Sequence, residues 1–364
     1  MRLATATLIA LLLSACDTSQ PPVRVHDPDK PPARLSDWGL MAADGNRLRL
    51  NDSVVPYELN TPLFSDYALK LRSVWMPADA AASIQENGDI AFPVGTILSK
   101  TFHYRYSGSG FQKVDAEAAL EDDGALNLAA HRIVETRLLV HYDDGWRAFP
   151  YVWNDEQNEA SLAIAGAQFD FLLAGDSFTY IVPDMNQCAS CHTPDHAAKS
   201  IQPIGPKARQ LNREFAYVDG IRHQLDYWLE AGLLNSLPLN TPRLARWAER
   251  DQESLDDAAR AYLDVNCAHC HNPKGAADTS ALNLNLGAPV DRGFGICKPP
   301  VAVGRGSGDR PYDIFPGEPD DSILLFRMEH DDPAIMMPEL GRAMAHDEGV
   351  AVIRHWIGTL PGDC

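Results

Sequence analysis

Residues 135–153 read Glu135-Thr136-Arg137-Leu138-Leu139-Val140-His141-Tyr142-Asp143-Asp144-Gly145-Trp146-Arg147-Ala148-Phe149-Pro150-Tyr151-Val152-Trp153. Two runs rich in branched and aromatic residues flank Asp143-Asp144-Gly145, and an Asp-Gly step supplies the positive-φ position that a tight hairpin requires. The stretch predicts an antiparallel hairpin. Around it, from about Ser36 to Tyr180, short apolar segments such as Phe92-Pro93-Val94-Gly95-Thr96-Ile97-Leu98 alternate with turn residues. Residues 36–180 are therefore expected to form a mostly antiparallel β domain, with its aromatic side chains in the core.

Upstream, Met1-Arg2 precedes an apolar run from Leu3 to Leu13 and then Ser14-Ala15-Cys16. Residues 1–16 resemble the export signal of bacterial lipoproteins, which implies cleavage before Cys16 and acylation of that cysteine. An ordinary signal peptide with an incidental cysteine is the alternative, and either reading exports the chain. Residues 17–35, with Pro21-Pro22 and Pro31-Pro32, are expected to form an extended tether. No later run reaches the roughly 18 apolar residues that cross a bilayer. The protein is thus expected in the cell envelope, facing the periplasm and held to a membrane by lipid at Cys16. A formal charge of −19 over 364 residues argues against nucleic-acid binding. It suits redox protein partners of opposite charge.

The seven cysteines resolve by subtraction. Cys16 is assigned to the lipid, and four belong to Cys188-Ala189-Ser190-Cys191-His192 and Cys267-Ala268-His269-Cys270-His271. Cys297 and Cys364 remain, and in an oxidising compartment a disulfide between them is expected. Cys-x-x-Cys-His has a specific chemistry. Thiols three residues apart can each add to one vinyl group of a haem edge, and the following histidine is then held beneath the iron. Two haem c groups are expected, bound through Cys188, Cys191, Cys267 and Cys270, with His192 and His271 as proximal iron ligands. A single zinc site built from all four thiolates would leave both histidines without a reason for their position. A thioredoxin-like pair would need a βαβ setting that the sequence lacks.

The second haem is expected to take Met337, in Met336-Met337-Pro338-Glu339-Leu340-Gly341, as its sixth ligand, with Met336 the neighbour to weigh against it. His/Met ligation raises a haem's potential and closes the iron to small molecules. For the first haem His223, His103, His131, His141 and an open site all remain candidates.

After Pro183 the pattern turns helical. Residues 208–234 carry helical spacing with Ile221, Leu225, Trp228 and Leu229 on one face. Ser254-x-x-Asp257 resembles a capping box opening a helix that runs into Cys267. Val350, Ile353, Trp356, Ile357 and Leu360 share a face of a terminal helix starting near His346 and Asp347.

Several further stretches carry a resemblance: Tyr57-Glu58-Leu59-Asn60-Thr61-Pro62-Leu63-Phe64-Ser65-Asp66-Tyr67-Ala68, Phe92-Pro93-Val94-Gly95-Thr96, Glu135-Thr136-Arg137-Leu138, Pro203-Ile204-Gly205-Pro206-Lys207 and Pro316-Gly317-Glu318-Pro319-Asp320-Asp321-Ser322-Ile323-Leu324. With the two haem motifs they resemble a family of bacterial dihaem c-type cytochromes with a β-rich N-terminal domain. The resemblance implies a multidomain α and β protein. Its β-rich domain would be followed by all-α cytochrome c-type haem domains, a first haem-binding helical segment over 181–250 and a class I cytochrome c domain over 251–364. The function it implies is electron transfer in the cell envelope. The alternative is a peroxidase-like haem enzyme with an open first haem fed by the second.

Overall fold

The computed structural model describes residues 20–364 except 109, 118, 119, 302 and 303. The export signal, Cys16 and the start of the tether lie outside the described residues. Residues 20–34 lie along the body: Arg24 N–H donates to the Trp38 carbonyl at 3.1 Å, and Val23 packs on the main core.

The strands run, in chain order, β1 (Met41–Asp44), β2 (Arg47–Leu50), β3 (Val55–Tyr57), β4 (Leu69–Trp75), β5 (Ser83–Ile84), β6 (Ile90–Ala91), β7 (Ile97–Ser107), β8 (Gly110–Phe111), β9 (Leu126–Asn127), β10 (His131–Tyr142), β11 (Gly145–Trp153), β12 (Ala160–Leu162), β13 (Ala167–Leu173), β14 (Asp176–Val182), β15 (Glu214–Tyr217) and β16 (Gly220–His223). The helices are α1 (Gln187–His192), α2 (Ala208–Leu211), α3 (Gln224–Glu230), α4 (Leu255–Asn266), α5 (Ile323–Glu329) and α6 (Asp347–Thr359).

A nine-stranded sheet, curled into a half-barrel, dominates the molecule. Its centre is the antiparallel series β3–β4–β7–β10–β11–β12. The Asp-Gly hairpin closes as expected, with Tyr142 opposite Gly145 and Gly145 at φ +119°. Alternation along the strands gives the sheet two buried faces. Leu71, Ile97, Leu138 and Phe149 face one core, under the small sheet β2–β9 and β1, with Trp38 donating its Nε1–H to the Tyr151 hydroxyl at 2.7 Å. Val74, Leu98 and Trp146 face the other, covered by Leu211, Leu225 and Trp228.

The expected all-α haem domains are not present. The described residues hold six α-helices, and the chain is 19% helical and predominantly β. Within 181–250 the helical spacing belongs instead to α2, the hairpin β15–β16 and α3. Gly220 adopts φ +123° in the turn, and Ile221 is 72% exposed on a strand while Leu225 and Trp228 are buried. Within 251–364, α4 does open at Ser254, whose Oγ accepts the Asp257 N–H at 3.1 Å, and α4 and α6 share a core with α5. The stretch between Cys267 and Ser322 is turns and short 3-10 segments rather than a helical domain, because its Gly, Pro, Asn and Asp residues offer turn chemistry and no sustained 3.6-residue period. The Cys297–Cys364 disulfide is formed, with Cα atoms 5.3 Å apart, and ties the chain end to this stretch.

One segment joins the β body to the C-terminal part. In 57–68, Thr61 Oγ1 donates to the Ala245 carbonyl at 2.7 Å, and the Phe64 N–H to Asn266 Oδ1 at 2.8 Å. Asp66 Oδ1 accepts the N–H groups of Ala343 and Met344 at 2.7 and 2.8 Å, and the Tyr67 hydroxyl donates to Glu348 at 2.8 Å.

Candidate cofactor site

Each Cys-x-x-Cys-His motif forms one helical turn, which places its two cysteines on a common side. The first is α1 itself, its start tethered by the Asp184 carboxylate, which accepts the N–H groups of Asn186 and Gln187 at 2.8 Å. The second follows directly from α4, with the His271 N–H donating to the Cys267 carbonyl at 2.9 Å. The motifs abut. Cys270 Sγ lies 3.9 Å from the Ser190 carbonyl oxygen, and the His196 N–H donates to the Lys274 carbonyl at 2.8 Å.

Both motif histidines are anchored by one ring nitrogen. His192 Nδ1 donates to the Gln202 carbonyl at 2.9 Å, since that oxygen can only accept. His271 Nδ1 lies 3.1 Å from Ser280 Oγ, whose own proton goes to the Ala277 carbonyl at 2.6 Å, so the imidazole is again the donor. With Nδ1 protonated, Nε2 carries the free lone pair in both rings, the arrangement found behind metal-bound imidazoles. Burial, assisted by Lys100, pushes His192 down to about 3; burial and then Arg327 push His271 down to about 4. Both rings are thus neutral at pH 7.

The motifs share a cavity of about 420 Å³, within the range of cofactor sites. Cys188, Cys191 and His192 line it from one side, and Cys267 and His269 from the other, with Met328, Met336 and Met337. Cys270 and His271 are not part of its lining. Met337 is fixed through its backbone, its N–H donating to the Arg327 carbonyl at 2.9 Å and its carbonyl accepting Arg342 Nη2 at 2.8 Å. Met336 is buried to 5% exposure in the same wall. Of the histidines weighed for the first haem, His103, His131, His141 and His223 do not line the cavity. Three have other partners: His131 Nδ1 bonds the Asn127 carbonyl at 3.1 Å, His141 Nδ1 the Phe92 carbonyl at 3.0 Å, and His223 Nε2 Asn212 Oδ1 at 2.9 Å.

The sheet contributes a feature that sequence reading missed. Arg72 on β4, Lys100 on β7 and Arg137 on β10 stand directly opposite one another across three adjacent strands, and all line the cavity with Lys70 and Arg342. Like charges in direct cross-strand register destabilise a sheet, and unpaired buried charges cost more. Glu58 pairs with Arg72, and Glu135 accepts Arg137 Nε at 2.7 Å. Lys70 Nζ reaches only the Ala68 carbonyl, at 2.8 Å, and Arg342 bonds backbone carbonyls. Among the described residues no carboxylate lies within ion-pair distance of Lys70, Lys100 or Arg342. Burial lowers Lys100 to about 7 and Lys70 well below its ordinary value. In a chain of charge −19 this cavity gathers basic groups that lack carboxylate partners, so it suits a large apolar group that brings carboxylates. A haem, apolar with two propionates, fits that description. The alternation Lys70-x-Arg72 within an apolar strand is the one local trace of it in the sequence.

Among the described residues no three of the motif thiols come within 4.8 Å of one another, so they do not gather into a four-thiolate zinc site. Burial raises all four, Cys267 to about 12 and Cys270 to about 11. Among the described residues the group of three metal-donor side chains with ligand atoms within 4.8 Å is Asp115, His346 and Glu348. Its carboxylates are already engaged: Trp247 Nε1 donates to Asp115 at 2.9 Å, Arg250 lies 3.1 Å from it, and Tyr67 holds Glu348. His346 Nε2 sits 3.6 Å from each, which makes the cluster an ionic clasp between residue 115 and the start of α6.

No protein-family model matches the chain, and neither a curated protein nor a solved structure does. Together with the absence of all-α haem domains, this overturns the expected membership of a cytochrome family with a class I C-terminal domain.

Proposed function

We propose that this protein carries two covalently attached haem c groups and relays single electrons between redox proteins in the bacterial cell envelope, anchored by lipid at Cys16. The observation that carries the reading is the convergence of both Cys-x-x-Cys-His turns on one cation-walled cavity, each histidine held by Nδ1 with Nε2 free. Bound haem supplies one-electron chemistry. The chain's part is to tether it through Cys188, Cys191, Cys267 and Cys270, to ligate iron through His192 and His271, and to offer Met337 to the second iron. Lys70, Lys100 and Arg342 balance propionate charge, while the apolar wall, including Leu59, Leu98 and Val265, restricts water.

Expression with a haem-attachment system tests this by mass and by absorption of the denatured protein. Two haems per chain are expected, and one in each of the pair variants C188A/C191A and C267A/C270A. Retention of two haems in either variant, or zinc in place of haem, refutes the proposal.

A further inference from the structure

The structure places one more nitrogen donor at the junction of the motifs. His269 is the second intervening residue of Cys267-Ala268-His269-Cys270-His271, and it lines the cavity with Cys188, Cys191 and His192. Its Nδ1 is buried beside the Val265 carbonyl of the preceding turn, which favours a proton on that nitrogen. Because Nδ1 is inaccessible, the part of the ring that meets the cavity lies towards Nε2.

His269 has no use on its own haem. It lies between the two thioether cysteines, and His271 already serves that iron from the same side. The neighbouring motif is in reach: Cys270 Sγ approaches the Ser190 carbonyl, the His196 N–H binds the Lys274 carbonyl, and Lys274 Nζ lies 3.5 Å from Asp195. His103, His131, His141 and His223 do not line this cavity. We infer that His269 is the sixth ligand of the first haem's iron, opposite His192, so that the second motif completes the coordination of the first. This rests on the proposed two-haem reading. It makes the first haem bis-histidine, hence lower in potential than a His/Met second haem, and closed to small molecules.

The experiment uses the full haem-loaded chain, with mass first establishing two attached haems. Fewer than two fails the parent reading and leaves the ligand assignment to the single-haem protein's spectrum. In the wild type both oxidised haems are expected to be low-spin and, once reduced, to ignore carbon monoxide. In H269A one haem becomes high-spin and binds carbon monoxide, and added imidazole restores it. H269M, which keeps a ligand in place, raises the midpoint potential of one haem. H223A, at a histidine that does not line the cavity, is expected to leave both haems low-spin. A high-spin haem in the wild type, an H269A protein with both haems low-spin and inert, or an H269M protein with unchanged midpoints overturns the assignment.

Discussion

Replacing Lys100 by methionine should change stability with opposite signs in the haem-free and haem-loaded protein. Lys100 stands between Arg72 and Arg137 in the cross-strand row, and its accessible surface faces the cavity. Burial, then Arg137 and Arg72, lower it from 10.5 to about 7. At about 1.4 kcal/mol per tenfold change in proton affinity, that displacement sets a ceiling near 5 kcal/mol on the cost of its charge. Water in the cavity solvates the ammonium and reduces the cost to about 2–3 kcal/mol. Between pH 7 and 10.5 the unfolded chain binds a proton that the folded chain has shed, so stability rises with pH across this window. The haem-free protein, made by replacing the four motif cysteines with alanine, should therefore be stabilised by K100M by about 2–3 kcal/mol at pH 7. The gain should vanish near pH 10.5. In the loaded protein propionates pair with the ammonium and raise its pKa, so the slope is absent and K100M destabilises by leaving buried carboxylates short of a partner. Urea unfolding of both forms between pH 6 and 10.5 measures this. A K100M variant that stabilises the loaded protein, or a gain in the haem-free protein that does not shrink with pH, refutes the view that this cation row awaits an anionic cofactor.

Other residues give separable predictions. C364S opens the Cys297 disulfide, and releasing a loop of sequence separation 67 should cost about 4 kcal/mol in the chain-entropy model, seen in urea unfolding; a loss below about 1 kcal/mol would show the end of the chain is held by other means. M337A should make the second haem high-spin, whereas M336A should leave both spectra unchanged and lower stability by about 2–5 kcal/mol through its buried side chain. Exchanging those two outcomes would move the axial ligand to Met336. Burial raises Asp66 to about 6, so between pH 3.8 and 6 the folded state holds the extra proton and stability falls as pH rises. D66N, which keeps an oxygen acceptor for Ala343 and Met344, should flatten that fall, and D66A should lose about 1–3 kcal/mol per orphaned N–H.

What was legible in the sequence follows from how local each signal is. The β10–β11 hairpin was legible because Asp143-Asp144-Gly145 carries its turn chemistry within three residues, and α4 because Ser254 caps it locally. The region 208–234 was misread because Leu225 and Trp228 satisfy a helical template that Ile221 also fits, while Gly220 and the strand pairing of Phe215 with Arg222 decide otherwise. The haem proposal rests first on the spacing of the motif cysteines and their histidines, which is read within five residues. The cation row does not, since nothing in the chain states that Arg72, Lys100 and Arg137 will share one register. The abutment of the motifs was equally hidden, and with it the proposed use of His269.

The segment 57–68 explains how motifs so far apart in sequence come to share a wall. It continues β3, so one end is fixed by the sheet, where Tyr57 pairs with Arg72. Its other end grips the C-terminal part through Thr61, Phe64, Asp66 and Tyr67. Leu59, Leu63, Phe64, Ser65 and Asp66 also line the cavity, so the same residues form the seam and the site. The sheet contributes Lys70, Arg72, Lys100 and Arg137, the end of α4 leads into Cys267, α5 contributes Met328 and the loop before α6 contributes Met336, Met337 and Arg342, and the seam joins the two sides. An occupant whose carboxylates pair with Lys70, Lys100 and Arg342 therefore strengthens the junction as well as filling it, because its partners lie on both sides of the seam. Cofactor attachment and docking of the C-terminal part onto the sheet should then be one cooperative event, with protease resistance at residues 57–68 rising in step with haem content.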